Sequence, residues 1–146
     1  MAKFHFRLAT LLRLRETTRD RRRVQLAETI QADANLRNRL TRIDADRRRL
    51  QGECRRATGP GAVDVVKLAE AHRHDAMLQE KQTELLRQRE TLAAEIERRR
   101  QTLLTADRDV RVMEKLHDHR QRQHRQNEER REAKQLDEAA LQVVER

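Results

Sequence analysis

The sequence predicts an all-α fold: two long helices in an antiparallel coiled-coil hairpin, with a longer C-terminal helix overhanging the open end. Three observations carry it. Stepping by alternating threes and fours gives Leu68, Ala71, Asp75, Leu78, Gln82, Leu85, Arg89, Leu92, Ile96, Arg99, Leu103, Ala106, Val110 and Met113, with ten of the fourteen slots apolar. That spacing draws a single narrow apolar seam down a helix, and such a seam needs a partner helix. The same step through Leu36, Leu40, Ile43, Arg47, Leu50, Cys54 and Ala57 finds six of seven slots apolar and supplies that partner. Between the runs lies Thr58-Gly59-Pro60-Gly61-Ala62, which holds the only Pro and two of the three Gly. Gly allows the left-handed conformations that end a helix, and Pro cannot continue one.

Residues 1–146 are thus read as one hairpin: helix 1 about 4–57, turn about 58–63, helix 2 about 64–144. Composition agrees. Charged residues make up 40% and aromatics 1%, with no Trp or Tyr, so little could fill a thick core. High charge with sustained periodicity indicates a long helical rod. Such polarity would also suit disorder, which the seam opposes.

From the N-terminus, residues 4–16 form the most apolar stretch, with Leu8, Leu11, Leu12 and Arg15 on one helical face. Residues 15–23 contain no apolar residue, and periodicity resumes at Val24, Leu26 and Ile30. Gly52 is expected to fray or bend the end of helix 1. Asp64 can cap helix 2 through its carboxylate. Centring the turn near residue 60 sets Leu36 opposite Leu85 and Leu8 opposite Met113. The polar gap then leaves Leu103 and Leu104 part-exposed. Arg21 to Arg23 meet Arg98 to Arg100 in mutual repulsion, and helix 2 has no partner after about His117. Leu136, Ala140, Val143 and Val144 return to helical apolar spacing, which reads equally as a frayed tail or as a docking patch for an external partner.

Several functions lack a foothold. No Gly-rich phosphate loop, nucleophile-and-base grouping or strand is present to build a pocket, so no enzyme is expected. His117 and His124 share a face, but metal centres need three or four converging ligands, so solvated surface histidines are expected and no cofactor or metal. Cys54 reads as a small apolar filler, and one free thiol suits a reducing compartment. The net charge of +9 makes acidic partners plausible. A basic coiled coil on nucleic acid or ribosome is the alternative reading, weakened by interleaved acids and the lack of stacking aromatics. No run of about 18 apolar residues could span a membrane. The first residues lack the apolar core of a signal peptide, so a cytoplasmic protein is expected.

The N-terminal Phe6-Arg7-Leu8-Ala9-Thr10-Leu11-Leu12-Arg13-Leu14-Arg15-Glu16, the heptad hairpin, and the C-terminal Val112-Met113-Glu114-Lys115-Leu116 and Leu136-Asp137-Glu138-Ala139-Ala140 occur together. In these features the whole chain resembles the flagellar export FliJ family; the stalk proteins of virulence-type secretion systems share the architecture. The resemblance implies a non-enzymatic stalk and adaptor of the flagellar type III export apparatus, peripherally associated with the inner membrane. Its implied partners are the hexameric export ATPase ring, the cytoplasmic domain of the membrane export gate, and export chaperones, with no small-molecule substrate. The open end would enter the ring, with Leu8, Leu11, Leu12, Leu103, Leu104, Leu116, Leu136 and Val143 as candidate contacts. The gate would be met nearer the turn by Leu36, Leu40, Ile43, Arg47, His74, Leu78, Lys81 and Leu85.

Overall fold

A computed structural model describes residues 3–144, with side chains as far as residue 141. Two helices, α1 (Ala9–Ala57) and α2 (Val65–Val144), pack against each other as a helical hairpin, and the described residues contain no strand. All twenty-one seam positions named above are buried or half-buried. The chain divides into two compact units, Val24–Gln101 and the combination of Met1–Arg23 with Thr102–Arg146.

In the first unit, Ile43, Leu50 and Leu78 form a buried cluster against which Ala71 and Leu85 pack. The polar seam slots are joined across the helices. The Arg47 guanidinium donates to both Asp75 carboxylate oxygens, at 2.8 and 3.3 Å, and to Gln82 Oε1 at 2.8 Å. Gln82 in turn donates to Asp44 at 2.8 Å. Asp33, only 7% exposed, accepts from Arg89 at 3.0 Å and pairs with Arg37 at 2.7 Å. Arg99 donates to the Gln25 carbonyl and to Glu95, both at 2.7 Å. No polar side-chain atom buried among the described residues lacks a partner. That matters because an unpaired buried polar group costs about 1–3 kcal/mol.

The N-terminal part of this unit departs from the sequence reading. Val24 and Ile30 are exposed, and Thr29 and Asp33 are buried instead. The seam continues backwards from Leu36 in the same threes and fours, through Asp33, Thr29 and half-buried Leu26. Thr29 is tolerated because its hydroxyl donates to the Gln25 carbonyl at 2.7 Å. Gly52 does not fray α1, which runs through it to Ala57. The Thr58 amide and hydroxyl both donate to the Cys54 carbonyl at 3.1 Å, closing the helix end. Gly61 turns the chain with φ near +145°, a conformation that side chains disfavour. Asp64 then caps α2 by accepting from the Lys67 amide at 3.1 Å.

In the second unit, Ala106, Val110 and Met113 are buried, and Val110 is the most buried at 1% exposure. The Arg-rich stretch of α1 is tied to α2 by Arg15–Asp109 at 3.3 Å and Arg23–Asp107 at 3.4 Å. Both pairs are well solvated and contribute little stability. The expected repulsion between two arginine groups is offset within each unit. Arg23 also pairs with Asp20, and Arg98, Arg99 and Arg100 pair with Glu95 or Glu97 on their own helix.

The largest difference lies at the N-terminus. Helix α1 starts at Ala9, not near residue 4. Residues 3–8 are a non-helical strap whose exposure alternates strictly: Lys3, His5 and Arg7 outward, Phe4, Phe6 and Leu8 inward. That is the period of an extended chain. Phe6 is buried. Helix α2 therefore does have a partner beyond His117, as far as His124.

Candidate partner-binding surfaces

The strap lies on α2 through its aromatic rings. Phe4 meets the His117 and His124 rings edge-on, each at 5.6 Å between centroids, and Phe6 meets His117 at 5.0 Å. These histidines are half-buried rather than solvated. On α2 the buried positions change spacing here. After Met113 the half-buried positions are Leu116 and His117, then Gln121, His124 and Glu128, so that along His117, Gln121 and His124 a second step of four follows the one from Met113. An inserted four relaxes the heptad drift towards the period of a straight helix. Gln121 thereby takes the place the heptad would give to Arg120, which is exposed.

Beyond Glu128 every described side chain of α2, through Leu141, is exposed. Leu136 and Leu141 stand 71% and 66% exposed. Leu104, Leu14 and Val112 are likewise exposed in this unit. Of the residues expected to meet an ATPase ring, only Leu104 and Leu136 are open surface. Leu8, Leu11, Leu12, Leu103 and Leu116 are half-buried, and the side chain of Val143 lies outside the described residues. Leu14, Val112 and Leu141 are open apolar surface that the sequence reading does not single out. Their signal was available: each is a large apolar residue off the seam, where coiled coils place polar groups.

The residues expected to meet the gate fare similarly. Leu40, Ile43 and Leu78 are buried, so the broad patch drawn from them does not exist as an open surface. Leu36, Arg47 and Leu85 are half-buried, and only His74 and Lys81 are exposed. The seam cannot serve two partners at once, and a stripe chosen by heptad slot is by construction the inward one. What is open beside it is a groove of about 530 Å³ lined by Arg39, Arg42, Ile43, Glu80, Lys81, Glu84 and Leu85.

The Arg47–Asp75 pair is the most perturbed ionic contact. Its hydrogen bonds hold the Asp75 carboxyl below the ordinary carboxylate range and raise the Arg47 guanidinium further, against a smaller opposing effect of desolvation. Cys54 is half-buried among Leu50, Ala57, Leu68 and Ala71, as a seam filler would be. No group of three or more His, Cys, Asp or Glu side chains could hold a metal among the described residues, and none of the described helices is long and apolar enough to cross a membrane.

Comparison with curated proteins and with solved structures gives no match. The family model described as "Flagellar FliJ protein" matches residues 4–146. The chain belongs to the FliJ family, which makes it a component of the flagellar export apparatus, in a family of non-catalytic export components.

Proposed function

We propose that this protein is a non-enzymatic stalk and adaptor that binds the hexameric export ATPase ring and couples it to the membrane export gate, with a part in handling export chaperones. The family match over residues 4–146 carries this reading. The hairpin supports it, because α2 continues past the strap with Leu136 and Leu141 exposed. An uncovered apolar stripe on a charged helix calls for an external partner. The ring is met by this stripe together with Leu104, Leu14 and Val112. The gate is met by the groove containing Lys81 and Leu85 and by nearby His74. The protein works in the cytoplasm, peripherally associated with the inner membrane through these partners.

The action is mechanical and allosteric. A single asymmetric hairpin in a ring of like subunits contacts them unequally and biases their conformations. The test is to mix the protein with the cognate export ATPase and measure ring assembly and ATP hydrolysis. Both should rise, and Leu136→Asp with Leu141→Asp should abolish the rise while leaving helix content unchanged. No effect of the unaltered protein on either measurement, alongside tight RNA binding with a steep salt dependence, would replace the stalk by a basic nucleic-acid-binding rod.

A further inference from the structure

The strap and α2 border an open cavity of about 400 Å³ lined by Phe4, His5, Phe6, Arg7, Leu8, Arg120 and His124. Its lining holds two guanidiniums and two imidazoles and no acidic side chain. Arg7 and Arg120 form no ion pair or side-chain hydrogen bond among the described residues. They are open to an external anion, unlike Arg15, Arg47 or Arg89, which have carboxylate partners within the chain.

Two structural features set these basic side chains around one cavity. Alternation along the strap leaves His5 and Arg7 exposed while Phe4 and Phe6 turn inward. The inserted step of four on α2 leaves Arg120 outside the seam beside them. Like charges gathered without a counter-ion repel one another, and a multiply charged anion relieves that repulsion. Guanidinium groups bind phosphoryl oxygens through paired, charge-assisted hydrogen bonds.

We infer that the cavity between the N-terminal strap and α2 is a binding site for a phosphoryl anion, held by Arg7 and Arg120 with His5 and His124 at its edge. Free polyphosphate and a phospholipid headgroup share this chemistry. The assignment does not depend on the stalk reading.

The full chain is titrated with pyrophosphate by calorimetry, while the histidine ring resonances are followed by NMR. Saturable binding is expected, with the His5 and His124 signals moving and those of His72 and His74 staying in place. Arg7→Gln and Arg120→Gln should each weaken binding about tenfold, as expected for loss of a charged hydrogen bond. Arg87→Gln, an exposed arginine in the other unit, should leave it unchanged. Circular dichroism confirms that each variant retains its helix. Phosphatidylglycerol vesicles form a second arm. Vesicle binding that pyrophosphate displaces identifies a headgroup site, and pyrophosphate binding without vesicle binding identifies a free anion. Absence of saturable pyrophosphate binding, or equal weakening by Arg87→Gln, overturns the proposal.

Discussion

The two units bury the same helix in different ways. In Val24–Gln101, α2 is covered by another helix, and its inward positions keep the alternating threes and fours from Leu78 to Arg99. In the other unit, part of α2 is covered by an extended strap, and the spacing shifts at His117. A partner helix supercoils with its neighbour and demands a repeat of 3.5. An extended partner makes no such demand, so the buried stripe follows the straight helix. The geometry of the partner, and not apolarity alone, selects which side chains of α2 become inward.

The two coverings also differ in what they bury. The helix-on-helix unit joins its polar seam groups across the interface, as in Arg47–Asp75 and Arg89–Asp33. Under the strap itself the contacts are rings against rings, Phe4 and Phe6 on His117 and His124. Four expected outcomes break or sharpen this comparison. The largest is Leu78→Ala, which leaves a cavity in the cluster with Ile43 and Leu50. It should cost about 2–4 kcal/mol in urea unfolding monitored by circular dichroism. A loss below about 1 kcal/mol would mean that the polar links, not the apolar cluster, hold this unit.

Phe6→Ala removes the buried ring of the strap and should cost about 2 kcal/mol, below the usual aromatic range because a short non-helical strap can close over the space. The His117 ring resonance should move towards that of a solvated histidine, while backbone signals in Val24–Gln101 stay fixed. Movement in both units would show that the strap matters beyond its own contacts.

Acid tests the polar links. The Asp75 carboxyl titrates lower in the folded chain than in the unfolded one. The stability it contributes is therefore complete above the ordinary carboxylate range near pH 4, and is lost as pH falls through the lower folded value. Thermal melts from about pH 7 to 2 should show this loss, and Asp75→Asn should flatten that limb. The guanidinium of Arg47 is raised instead, so its contribution persists across the accessible range. The smallest effect is a gain. A Cβ at Gly52 meets no atom within 4 Å, so Gly52→Ala should stabilise α1 by about 0.5–1 kcal/mol.

The sequence makes the helix-on-helix part legible because 3–4 spacing repeated over many turns has few other causes. The turn and the Asp64 cap are equally plain, since Gly, Pro and a short acidic side chain each do one local job there. The strap was hidden. Lys3-Phe4-His5-Phe6-Arg7-Leu8 alternates strictly, but six residues of alternation sit directly before Leu11 and Leu12 and are easily absorbed into their helix. Thr29 and Asp33 were hidden for a different reason. Polarity argued against their burial until the partners, the Gln25 carbonyl and Arg89, could be seen. Most surface candidates lie on the seam and are covered, because spacing reports inwardness and not availability.

The two cross-helix carboxylates in Val24–Gln101 have a consequence for sliding. Displace α2 by one heptad in either direction, and Asp33 comes opposite Ile96 or Gln82 instead of Arg89. Asp75 comes opposite Cys54 or Leu40 instead of Arg47. Asp75 then loses its guanidinium and Asp33 keeps only Arg37 on its own helix, while a purely leucine seam would find another grip. An axial pull on one helix is therefore passed to the other without slippage, as by a toothed clutch.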